Sequence, residues 1–313
     1  MQVGKYIKAI KKYIFSNGYR FLVNSGYGKY NDMPDAEYLS RKFAAVFGHR
    51  LPLEAPQTFN EKLQWLKLYD RKPEYTVMVD KYRVREYIKE KLGEEYLIPL
   101  LGVWDRPEDI DFDQLPDQFV LKCNHNSGRG MFICKDKSKL TPRDIRKIRR
   151  NLARGLAEDY YLTGREWPYK DVPKKIIAEK YMTDSAGSSD FTDYKFFCFN
   201  GYVDCVMVCL ERSSGDTKFY FFDKDWNLKR LNIRGKNAPE GFTIPKPNQM
   251  DKMFEVAAKL SEGLPFARVD LYQSNDHIYF GEITFFPDSG FDANLLPETD
   301  KYFGDLIRLE DVK

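Results

Sequence analysis

The spacing of apolar and polar positions divides the chain into a helical beginning and a strand-rich remainder. Between Lys5 and Phe15, Tyr6, Ile7, Ile10, Tyr13 and Ile14 recur at helical intervals among Lys5, Lys8, Lys11 and Lys12, which predicts a short basic amphipathic helix. Ser25–Pro34 is rich in Gly and Asn and reads as a loop, and 35–47 is again helical. Thr58 offers an N-cap to a helix carrying Leu63, Leu66 and Tyr69. Asp80–Leu92 has helical periodicity and meets Gly93, the residue type that follows helix ends.

The texture changes after Pro107. Phe119–Cys123 and Met131–Cys134 read as strands joined by the small-residue loop Asn124–Gly130. A basic helix is expected over Thr141–Tyr161 and a strand over Lys174–Met182. Asp193–Asn200 and Tyr202–Leu210 meet at Asn200-Gly201, the dipeptide of tight hairpin turns. Lys218–Phe222, Phe266–Tyr272 and Ile278–Thr284 complete the strands. A helix over 248–262 precedes the last two, and another follows Thr299. Helices first and antiparallel strands after make an α+β protein, and neither GxGxxG nor GxxxxGK[ST] is present.

Composition narrows the class. The 313 residues carry 50 basic and 47 acidic side chains, a net charge of +3 that gives no argument for nucleic acid. No stretch approaches the length of a membrane span. Lysines at 8, 11 and 12 interrupt any leader-like apolar run, so a cytoplasmic protein is expected. The five cysteines lie in apolar runs without CxxC spacing, as buried reduced thiols would. The apolar face of the Lys5–Phe15 helix suits either a membrane surface or the protein's own body, and packing on the body is the favoured reading.

Four stretches carry candidate chemistry. Lys122 leaves a strand beside Ser127, Gly128, Arg129 and Gly130, a lysine and a loop that can hold phosphate. Glu179, Lys180, Tyr181 and Met182 end a strand whose edge can read a purine. Asp193 and Lys195 share a strand face, as a solvent ion pair or as the lining of a polar cleft. Arg268 and Asp270 share one face, and Glu282 and Thr284 another, with Ala267, Val269, Leu271, Ile283 and Phe285 turned to the core. Paired as a hairpin, these strands set Asp270 beside Glu282. Two adjacent carboxylates need a cation between them, and hard oxygen donors suit Mg²⁺.

In this order the pieces resemble the ATP-grasp superfamily over about residues 118 to 290. The likeness to its TupA-like members, found with bacterial surface-polysaccharide genes, extends through Phe59-Asn60-Glu61-Lys62-Leu63 and Asp80-Lys81-Tyr82. The resemblance implies an ATP-grasp fold with a helical N-terminal region (1–95), a central subdomain with the phosphate loop (96–182) and a C-terminal subdomain with the metal site (183–313). It implies ATP and Mg²⁺ as cofactors. Lys122, Ser127–Gly130, Glu179–Met182 and Asp193 would bind nucleotide. Asp270, Glu282 and Thr284 would bind metal, with Thr284 where the superfamily has Asn. Arg268 and Lys195 would be catalytic. The activity implied is a carboxylate–amine ligase working through an acyl phosphate on a surface glycan, without nucleic acid. Loops 183–189, 213–216 and 234–239 would be lids, and 287–291 would meet the acceptor. A kinase on the same fold, a glycosyltransferase-pathway protein and a membrane-bound scaffold are the competing readings.

Overall fold

The computed structural model describes residues 2–183, 192–210 and 217–312. Its helices are α1 (Gln2–Phe15), α2 (Asn17–Gly26), α3 (Asp35–Phe47), α4 (Phe59–Tyr69), α5 (Glu74–Val79), α6 (Val84–Lys91), α7 (Pro142–Leu156), α8 (Tyr161–Gly164), α9 (Ile233–Lys236), α10 (Met250–Leu260) and α11 (Pro297–Leu306). Its strands are β1 (Leu100–Trp104), β2 (Phe119–Cys123), β3 (Phe132–Cys134), β4 (Ile176–Lys180), β5 (Asp193–Phe199), β6 (Tyr202–Leu210), β7 (Lys218–Phe222), β8 (Leu228–Lys229), β9 (Ala267–Ser274) and β10 (His277–Thr284). Two units are distinguished: Met1–Arg71 with Tyr161–Trp167 and Phe286–Lys313, and Lys72–Tyr160 with Pro168–Phe285.

The first unit is helical. Phe21, Tyr38, Leu39, Phe43 and Leu51 form its core. Thr58 and Glu61 close a reciprocal capping box at the start of α4. On α4 the fully buried Lys67 ammonium donates to the carbonyls of Gly164 (2.7 Å) and Ser289 (2.6 Å) and to the Gln64 amide oxygen (3.0 Å). It thereby ties three chain segments together. Asp288, Ser289 and Gly290 all have positive φ. The sequence reading missed α2, whose Ser16 cap accepts the Tyr19 N–H, so the expected loop begins only after Gly26. It also favoured burial of the α1 apolar face, yet Ile10, Ile14 and Phe15 are exposed.

The second unit holds two antiparallel sheets, ordered β1-β4-β2-β3 and β10-β9-β5-β6-β7-β8. On the first sheet, Phe119, Leu121, Ile176 and Ala178 pack against Ile148 and Leu152 of α7. On the second, Phe196 meets Phe254 of α10 edge-on. Asn200 and Gly201 both have positive φ, as the expected hairpin turn requires.

The expected 80–92 helix is shorter than its periodicity suggested. Asp80 Oδ1 accepts the N–H groups of Tyr82 and Arg83 and the Asn124 side-chain amide, so 80–83 is a turn and α6 starts at Val84. Strand β4 is likewise shorter than expected and ends at Lys180. Of the expected lids, 184–189 and 213–216 lie outside the described residues. At 234–239 the chain opens in helix α9, capped by the Asn232 side chain on the Gly235 N–H.

Candidate functional site

The β9–β10 hairpin sets the geometry. Glu282 pairs with Asp270 and Thr284 with Arg268. A register shift at Gly281 makes this possible. Before it, Ile278 and Phe280 face the core; after it, Ile283 and Phe285 do, so the buried parity changes from even to odd. Without the extra residue Glu282 would share the core face of Ile278 and Phe280. A Cβ at position 281 would stand 2.7 Å from the Tyr272 ring and 3.0 Å from the Asp270 carbonyl, which leaves room for glycine alone.

Asp270 is 1% exposed and is gripped from two sides. Arg268 donates to both of its oxygens, through Nε at 2.7 Å and Nη2 at 2.8 Å. Lys195, on the adjoining strand β5, contacts Oδ2. The same Arg268 Nη2 reaches Glu282 Oε1 and Thr284 Oγ1, each at 3.1 Å. A guanidinium therefore bridges the two carboxylates, which supplies the cation their proximity demands. Lys195 also pairs with Asp193 at 3.2 Å.

Burial would raise the Glu282 carboxyl, but Lys81, Arg268, Lys195 and Lys122 outweigh it and hold the pKa down at about 2. Burial disfavours the Lys195 ammonium, yet Asp270 and Asp193 reverse that and raise its pKa. Burial also pushes Asp270 upward, against Arg268 and Lys195. A bidentate guanidinium needs a carboxylate that only accepts, so the geometry is that of an ionised Asp270.

A cavity of about 490 Å³ opens beside this cluster, within the range that small ligands occupy. Lys122, Ser127, Gly128, Arg129, Glu179, Lys180, Tyr181, Met182, Asp193, Lys195 and Glu282 border it. Asp193 and Lys195 are thus part of a buried polar cleft and not a solvent pair. Lys122 pairs with Glu179 across the cavity wall at 2.6 Å. Tyr181 and Met182 follow β4 outside regular structure and leave their backbone free of the strand. A wider depression of about 1030 Å³, edged by Arg83, Arg85, Glu94 and His277, contains none of the expected residues.

Five expected residues stand differently. Gly130 does not border the cavity. It has φ +66°, and a Cβ there would lie 2.6 Å from Cys123 Sγ and 2.9 Å from Gly155 Cα, so its smallness lets the loop close on α7. The Arg129 guanidinium is exposed and pairs with Glu158 at 3.2 Å. Thr284 accepts from Arg268 and donates to Glu282, and like Arg268 and Asp270 it is not on the cavity wall.

One residue was missed. Lys81 is half-buried, donates to the Asn126 carbonyl at 2.7 Å and lines the cavity. Burial lowers its pKa, with Glu282 opposing. Its signal was the Asp80-Lys81 pair: an aspartate that folds the chain into a turn frees the next side chain from a helix face.

The oxygen donors suit Mg²⁺. Glu282 borders the cavity, so it can take a metal as it stands; Asp270 does not border it and is held by two cationic partners, one of which a metal would have to replace. No group of three or more His, Cys, Asp or Glu side chains with metal-binding geometry occurs among the described residues.

The model of one protein family, TupA-like ATP-grasp, matches residues 61–308. The chain belongs to this family. Its two antiparallel sheets and flanking helices are accordingly the α+β ATP-grasp fold that the resemblance implied. No curated protein matches. Among solved structures, this TupA-like chain is similar to D-alanine–D-alanine ligase from Bacillus anthracis complexed with ATP, with 18% identity, 75% of this chain and 65% of that one covered, and a TM-score of 0.44. It is similar to the ATP-grasp ligase PsnB complexed with minimal precursor, Mg and ADP, with 11% identity, coverage of 91% and 73%, and a TM-score of 0.40. It is also similar to the D-cycloserine synthetase DcsG, with 15% identity, coverage of 91% and 81%, and a TM-score of 0.40. The chain thus spans 65% of the length of the Bacillus anthracis ligase. These likenesses are remote, and the family match alone decides the assignment.

Proposed function

We propose that this TupA-like ATP-grasp protein is an ATP-dependent ligase that joins a carboxylate to an amine. The observation that supports it most is the facing pair Asp270 and Glu282, joined by Arg268 beside a cavity that Lys81, Lys122 and Lys195 also reach. Four cations around two carboxylates suit the triphosphate of Mg-ATP. In this reading Lys122, Lys81 and the 127–129 loop hold phosphate oxygens, and Tyr181 and Met182 present backbone to the adenine. Mg²⁺, held first by Glu282, would draw charge from the phosphates when bound. Glu179 and Asp193 hold Lys122 and Lys195 in place by ion pairing.

The substrate carboxylate oxygen attacks the γ-phosphorus and ADP departs, leaving an acyl phosphate. The amine nitrogen then attacks the acyl carbon, phosphate leaves, and the nitrogen gives up a proton. Arg268 and Lys195 balance charge during transfer, so catalysis is positioning and electrostatics. The carboxylate we propose is a uronic acid or a similar group of a bacterial surface polysaccharide, with an amine or amino acid as its partner. That choice rests on the company this family keeps. The place of work is the cytoplasm, where ATP is, and a contact of residues 5–15 with the membrane's inner face would leave this chemistry unchanged.

ADP release from Mg-ATP, measured over a matrix of uronic acids and amines, tests the proposal. Release that needs both partners is expected, with a loss of about 10²–10³ in rate in Arg268→Met. Release with a carboxylate alone makes the protein a kinase. No release with any pair, alongside full binding of nucleotide, refutes ligation.

A further inference from the structure

The first helix is unlike the rest of the molecule in charge and in exposure. Six of the 50 basic residues and none of the 47 acidic ones fall in the first 31 positions, so the remaining chain is net negative by three. On α1, Lys8, Lys11 and Lys12 are exposed. So are Ile10 (58%), Tyr13 (37%), Ile14 (53%) and Phe15 (83%). At about 100° per residue, Ile10, Tyr13 and Ile14 share one third of the circumference, and the three lysines share another. Polar contacts with α2 come from the last turn of the helix: the Tyr13 hydroxyl donates to Asn24, the Lys12 ammonium lies over the Tyr19 ring, and Arg20 donates to the Ile14 carbonyl. Ile10 and Ile14 remain in solvent. Among the described residues, no helix is long and apolar enough to cross a membrane.

We propose that α1 lies in the surface of an anionic lipid bilayer, with Ile10 and Ile14 seated among the acyl chains and the lysines at the headgroups. The charge pattern selects this occupant. A second copy would set the lysines of one α1 against those of the other, with no acid on either helix, and like charges across an interface oppose association. An anionic headgroup layer satisfies both arcs at once: lysines gain counter-charge and the isoleucines leave water.

Sedimentation of the full chain with vesicles tests this. Binding is expected to vesicles of phosphatidylglycerol mixed with phosphatidylcholine, weakening as salt rises, and not to phosphatidylcholine alone. Each lysine replaced, as in Lys8→Gln or Lys11→Gln, should weaken binding about fivefold. The double substitution Ile10→Glu with Ile14→Glu should abolish it while leaving the thermal melting of the free protein unchanged, since both side chains are exposed. Failure to bind the anionic vesicles overturns the proposal. So does binding that survives Ile10→Glu with Ile14→Glu, and so does a dimer, detected by light scattering, that this variant dissolves.

Discussion

At the scale of single residues the site is a balance of charge in which no member can be removed quietly. Glu282 shows this most clearly, because four cations hold its pKa at about 2 against an ordinary 4.5. A carboxyl depressed on folding stabilises the native state above its unfolded pKa and loses that contribution as pH falls through the folded value. The unfolding midpoint in urea should therefore drop as pH falls from about 4.5 to about 2. In Glu282→Gln this part of the pH dependence should vanish. An unchanged profile would mean that the cations do not act on Glu282 in the folded protein. Such a balance was only partly legible beforehand. Alternation along β9 and β10 identified Arg268, Asp270, Glu282 and Thr284, because chemistry-bearing residues on a buried strand betray themselves by period. Lys81 escaped, because a helical period across 80–92 concealed the turn that Asp80 imposes.

At the scale of elements, glycines decide where the backbone can go. Gly128 and Gly130 sit in one loop with φ +84° and +66°, but nothing lies within 4 Å of a Cβ at 128, whereas Cys123 and Gly155 crowd one at 130. Gly128→Ala should cost about 1 kcal/mol for its backbone conformation alone. Gly130→Ala should cost roughly 1–3 kcal/mol more through overpacking. Chemical denaturation of the two variants measures the difference, and equal losses would contradict the close packing of the loop on α7. The same reasoning explains what the pattern of residues revealed. Helix caps such as Thr58 and turns such as Asn200-Gly201 are local chemistry and were readable. The parity change at Gly281 is not, because it depends on a partner strand ten residues away in sequence.

At the scale of the molecule, the second unit brings both sheets to one cavity, and nucleotide bound there should brace them. A ligand held only by the folded state stabilises it by RT ln(1 + [L]/Kd), about 2.7 kcal/mol at a hundredfold excess over Kd. Mg-ATP should raise the melting temperature, and Lys122→Met should diminish the rise. A melting temperature indifferent to Mg-ATP would mean that the folded protein does not bind the nucleotide, and an undiminished rise in Lys122→Met would place it elsewhere. Oxidants should matter little to this behaviour. All five cysteines are buried and free of disulfides, and burial pushes Cys123 up to about 11 and Cys198 to about 12.

The pairing of β5 with β9 joins Lys195 to Asp270 across 75 positions of sequence, and Glu282 arrives later still. On the ribosome, then, the lysines at 81, 122 and 195 emerge well before the acids at 270 and 282 that they will face. A polypeptide that stops short of residue 282 keeps Lys195, Arg268 and Asp270 but lacks the second carboxylate, so the guanidinium has one acid to grip where the complete hairpin gives it two.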